Sequence, residues 1–171
     1  MTPATGSGSG LAVGLRATVR AVVGQSDTAI AMGSGDVPVL GTPRLLALAE
    51  AASVAAVAPQ LGDGQTSVGT AVRLEHRRPS PLGADLSVEA ELTEIDGRRL
   101  VFMFIARAPR GPAAGAGRAD DDEDEDEVIG AGTVERVVVD REQFVARLEA
   151  GGAARVGDLR VSDDVDQVRD S

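Results

Sequence analysis

The sequence predicts an α+β domain, one long central helix packed on a curved antiparallel sheet. Two observations carry that class. "TPRLLALAEAASVAAVA", Thr42 to Ala58, is a run of Leu and Ala with helix signals at its start, and four strand-like runs follow it, separated by turn residues. Segregation of one helix from a meander of strands gives an α+β layout rather than alternating βαβ units.

Residues 1–10, "MTPATGSGSG", are Gly-, Ser- and Thr-rich and form a flexible N-terminal tail. Leu11 to Val23 mixes β-branched residues with partial alternation and reads as a first strand, followed by a long loop punctuated by Gly33, Gly35 and Pro38. Thr42 is read as the helix N-cap with Pro43 at the first helical position, where a missing N–H costs nothing. Small residues almost all round predict a helix buried on most sides, ended by Pro59 and Gly62.

The later strands are read as Thr66 to His76, Asp85 to Glu94, Arg98 to Ala108 and Val128 to Val139, with Asp96 and Gly97 as a hairpin signal. Period-two reading of the first of these places Val68, Thr70, Val72, Leu74 and His76 on one core-facing side. Arg98 to Ala108 is apolar on both faces, which implies a central strand covered twice or a subunit contact. Residues 109–127 have the composition of a disordered acidic insert. A short helix, Arg141 to Glu149, closes a domain of residues 11–149, and 150–171 form a flexible C-terminal tail.

Composition excludes several function classes. With no Cys, thiolate sites and disulfides are excluded, and with one His an all-protein zinc site is disfavoured, so no metal is expected. Of the net charge of −10, eight negative charges lie in Asp120 to Glu127, and the rest of the chain carries only −2. Without clustered basic residues or more than three Phe, nucleic acid is an unfavourable partner. No apolar run reaches membrane-spanning length and the N-terminus lacks signal-peptide regions, so the expected location is cytoplasmic and the expected partner small and largely apolar.

Three polar residues stand out against this background. Glu50 is the only acid between Pro43 and Ala58, where burial would disfavour its charged form unless a cation compensates. His76 ends an apolar strand face and Thr42 begins the helix, so carboxylate, imidazole and helix-end donors are all present for acyl transfer. Each also has a commonplace reading, as a solvated charge, a hydrogen-bonded core imidazole and a helix cap.

"TPRLLALAEAAS", "GQTSVGTAVRLEHRRPSPLGADLSVEAELTEIDGRRLVF" and "IGAGTVERVVVD" together resemble the hotdog-fold thioesterases of the fluoroacetyl-CoA thioesterase branch, over about Leu11 to Leu148. The resemblance implies a hotdog fold and an acyl-CoA thioesterase that hydrolyses a short or medium acyl thioester. It implies catalytic Thr42, Glu50 and His76, with Gly69 of "SVGT" near the acyl group, and a homodimer or higher oligomer with no cofactor beyond the CoA of the substrate. The loop before the helix offers Met32 and Val39 as substrate-binding residues, with Val37 and Leu40, where the fluoroacetyl-specific branch uses an aromatic lid. Arg73, Arg77, Arg78 and Arg98 are candidates for the CoA phosphates. The competing reading is a non-catalytic acyl-CoA-binding hotdog module.

Overall fold

The computed structural model describes residues 10–109 and 126–155. Five strands form one antiparallel sheet in the order β1-β3-β4-β5-β2: β1 is Arg16–Val22, β2 Gln65–His76, β3 Asp85–Asp96, β4 Arg99–Pro109 and β5 Asp126–Asp140. The helix α1, Thr42–Val57, crosses one face of the sheet, and α2, Arg141–Arg155, follows β5. Most of the acidic insert and both termini lie outside the described residues, but Pro109, Asp126 and Glu127 belong to paired strands. The last helix also runs beyond Glu149, into the segment read as a tail.

The core lies between α1 and the sheet. Leu45, Leu48, Ala49, Ala52, Ala56 and Val57 recur at helical spacing and bury against Leu86, Val88, Ala90 and Leu92 of β3 and Leu100, Phe102, Phe104 and Ala106 of β4. The reading of a helix buried on most sides is therefore corrected: Ala47, Ala51, Val54 and Ala55 are exposed. A single sheet covers only one face of a helix, and Ala on the other face keeps helix propensity without a packing partner.

β4 is central, as its two apolar faces imply, but only one face is covered. Met103 is 55% exposed on the other, among the described residues. The hairpin closes as Asp96 pairs with Arg99, and Gly97 takes a left-handed φ of 56°.

The single-face reading of β2 fails at its first half. A β-bulge between Gly69 and Ala71 inserts one unpaired residue, so Ser67 is buried while Val68 and Thr70 leave the side occupied by Leu74 and His76. Period-two patterns change parity across such a bulge. Among the described residues β2 has only β5 as a neighbour, and Gly69 through Arg73 form an exposed edge.

Candidate active site

The segment between β1 and α1 sets the first polar group. It folds back on itself, with Ala29 N–H donating to Val39 O at 2.8 Å and Gly41 N–H to Asp27 O at 2.8 Å, and it docks on the chain after β2 through Leu40 N–H to Ser80 O at 2.8 Å. The Asp27 carboxylate also pairs with Arg44 at 2.9 Å. These contacts fix where the helix begins.

Gly41, not Thr42, occupies the N-cap position; Thr42 is the first helical residue and Pro43 the second. The correction has a chemical consequence. Thr42 Oγ1, freed from capping, shares a 2.9 Å hydrogen bond with His76 Nδ1, its direction set by the imidazole tautomer. Among the described residues the Thr42 N–H donates to no backbone carbonyl, whereas the neighbouring Gly41 and Arg44 N–H groups are both engaged.

His76 is held by the end of β2 against β5, where Gly130 sits opposite it. A Cβ on Gly130 would stand 2.9 Å from Glu75 O and 2.9 Å from the Leu45 side chain, so glycine there lets the strand close on His76. Burial pushes the imidazole below its ordinary pKa, against a smaller opposing contribution from the Arg78 backbone. The ring is thus favoured neutral, and among the described residues its buried Nε2 makes no hydrogen bond of ordinary geometry. Thr42 and His76 line a cavity of about 250 Å³ with Ala29, Ser34, Gly35, Val37, Val39, Leu40 and the 77–79 turn.

Glu50 belongs to a second cluster. Eight residues of helix rise separate it from Thr42, about 12 Å along the axis, and it does not line that cavity. Its side chain is 39% exposed, and Arg136 Nη1 lies 3.5 Å from Oε1. Glu50 is thus only partly buried, and the compensating cation is Arg136. That guanidinium is itself buried, donating from Nε to Ser67 Oγ and from Nη2 to Ser67 O, both at 2.9 Å. Burial pushes its pKa down and the Glu50 charge opposes this. A Cβ on Gly69 would collide with Glu50 Oε1, so only glycine permits this approach.

The residues singled out from sequence thus divide. Thr42, His76, Val39, Arg77 and Arg78 all line the cavity; Glu50 and Gly69 share the second cluster. Met32 does not line the cavity; its sulfur lies over Gly41, 3.2 Å from where a Cβ would stand. Arg98 lies in the β3–β4 turn, beside Val138 at the other end of β5 from Gly130. Arg136 and Ser67 were missed. The available signal was Arg136 at an inward position between Val134 and Val138, both buried.

One helix held in the curve of five antiparallel strands is the hotdog fold, and the class is that of the hotdog thioesterases. A Thermus thermophilus thioesterase superfamily member superposes with a TM-score of 0.69, covering 83% of this chain and 93% of that one, at 20% identity, a likeness of fold alone. Sequence narrows the class. The family model described as fluoroacetyl-CoA-specific thioesterase matches residues 23–119. A fluoroacetyl-CoA thioesterase from Streptantibioticus cattleyicolor is 36% identical over 110 residues, 64% of this chain and 68% of that protein. A solved fluoroacetyl-CoA thioesterase, a threonine-to-serine mutant in complex with acetyl-CoA, matches with a TM-score of 0.67 and 30% identity, covering 82% of this chain and 98% of that one. The chain belongs to the fluoroacetyl-CoA-specific thioesterase family.

Proposed function

We propose that this chain hydrolyses short or medium acyl-CoA thioesters to free acid and CoA, with Thr42, Glu50 and His76 as the reacting set. The observation that carries the assignment is the Thr42–His76 hydrogen bond at the wall of a cavity, beside an imidazole nitrogen that has no partner among the described residues. The free Thr42 N–H, at the positive end of α1, is placed to polarise the thioester carbonyl. Glu50 takes a proton from the water that attacks the carbonyl, or attacks it directly to form an anhydride that water then cleaves, and the departing thiolate receives the water's proton relayed through His76. The aliphatic wall of Ala29, Val37, Val39 and Leu40 suits an aliphatic acyl group, with Met32 and Gly69 assigned to its surroundings.

Glu50 lies too far from Thr42 within one protomer for both to act on one carbonyl, and this supports a homodimer. Antiparallel pairing of two β2 edges, centred on the exposed Gly69–Arg73 run, sets His76 of one copy against Thr66 of the other. Glu50 and Gly69 of one protomer then approach Thr42 and His76 of its partner. No group of three or more His, Cys, Asp or Glu side chains among the described residues is arranged to hold a metal, and none of the assigned roles calls for a redox cofactor. No helix among the described residues is long and apolar enough to cross a membrane; a cytoplasmic location is part of the same proposal.

The test is thiol release from a panel of acyl-CoAs, wild type against Glu50→Gln. The protein has no Cys to give a background signal. Release that follows acyl size and is lost in the variant supports the assignment. Binding of the esters without release moves the chain to the binding-module reading.

A further inference from the structure

Arg77 and Arg78 are among the residues that line the Thr42–His76 cavity, and the reaction itself does not use their side chains. β2 ends at His76, and the next two residues extend about 7 Å of main chain beyond it, pinned where the Arg77 and Arg78 N–H groups both donate to Ile129 O. The side chains of Arg77 and Arg78 are 54% and 60% exposed, so both guanidinium groups are open to solvent. Each meets an acid: Arg77 pairs with Glu75 at 2.9 Å, and Arg78 Nη1 with Glu127 Oε1 at 2.9 Å. Glu127 ends the acidic run Asp120 to Glu127 and is 22% exposed. The substrate class proposed above carries its own anions, phosphates on the nucleotide end of the carrier, and these must remain on the solvent side while the thioester reaches Thr42.

We propose that Arg77 and Arg78 receive a phosphate of the CoA carrier at the Thr42–His76 cavity, and that Glu127 is an internal competitor for Arg78. A guanidinium can exchange one oxyanion for another, so the single Arg78 Nη1–Glu127 Oε1 contact of the free chain occupies a donor that a phosphate would use. Arg73 and Arg98, the other candidates, stand away from the cavity and have no part in this. The proposal deepens the thioesterase reading and rests on it. A carboxylate on the acyl group is the other anion that could meet these arginines; their exposure to solvent favours the phosphate.

The experiment measures KM for an acyl-CoA and for the same acyl group on N-acetylcysteamine, which has no phosphate, together with CoA binding by titration calorimetry. Arg78→Ala is expected to raise KM for the acyl-CoA about threefold, the scale of an exposed ion pair, and to weaken CoA binding. The truncated thioester is affected less, Glu127→Gln shifts both CoA readings the opposite way, and Arg78→Lys recovers part of the loss. Equal effects on both substrates, or none on CoA binding, overturn the proposal. So does a loss confined to esters whose acyl group ends in a carboxylate. Absence of thiol release from every thioester sinks the hydrolase reading alone, because CoA binding by wild type and Arg78→Ala still decides this one.

Discussion

Two polar clusters flank the first half of α1, and they are built on opposite principles. At the helix start, Thr42 and His76 form a neutral pair at an open cavity, with the imidazole Nε2 left unpaired among the described residues. Two turns on, Glu50 faces a buried Arg136 whose other donors are consumed by Ser67. The first cluster is polar capacity held in reserve. The second is a charge held in place. Acyl transfer needs both: fixed charge where a nucleophile must point, and unsatisfied donors where new charge will appear. Their separation within one chain is the reason the proposed site spans two copies.

The comparison is broken most severely at Glu50. Glu50→Gln keeps the side-chain shape and removes the charge, and thiol release is expected to fall by about 10²–10⁴-fold, the range of a lost general base, with an unchanged far-UV spectrum. Wild-type turnover in the folded variant would make the second cluster purely structural.

The next effect tests whether Thr42 and His76 are one unit. Thr42→Ala and His76→Ala are each expected to reduce kcat by about ten- to a hundredfold or more, and the double variant by little more than the worse single one. Multiplicative losses would separate the pair into independent residues.

Gly69→Ala probes the approach of β2 to Glu50 with one methyl group. The added carbon must displace the carboxylate from its place beside Arg136, so kcat is expected to drop about tenfold or less while Tm shifts by a few degrees. Unchanged kinetics would mean that the position of Glu50 is not tightly specified.

The smallest effect sharpens the neutral side. His76 has a folded-state pKa below its unfolded value because burial disfavours the imidazolium. The unfolded chain therefore binds more protons at this site as the pH falls below about 6.5, and stability present above that pH declines toward the folded pKa. Wild type is expected to lose more Tm than His76→Gln between about pH 7.5 and pH 5. Parallel Tm curves would place the imidazole in a solvated environment.

How much of this was legible in the chain depends on the range over which each signal acts. Helix α1, the four later strands and the hairpin at Gly97 were readable because Leu and Ala periodicity, β-branched runs and turn residues act within a few positions. Thr42 and His76 were both picked out, but their contact spans 34 positions, and only the folding of the 24–41 segment shows that Gly41 takes the cap and leaves the hydroxyl free. The parity of β2 was misread because a bulge at Gly69 leaves no mark in an alternation of small and β-branched residues. Arg136 was passed over as one Arg among many, although its inward phase between two buried valines distinguished it.

The sequence by itself determined which segments form the helix and the strands. These follow from side-chain size, polarity and spacing, which are properties of neighbours in the chain. The tertiary structure decided which polar groups meet. Arg136 reaches Glu50 across 86 positions and Thr42 reaches His76 across 34. Such contacts depend on strand order, a bulge and the docking of a loop, all set by burial of the whole core rather than by any local pattern.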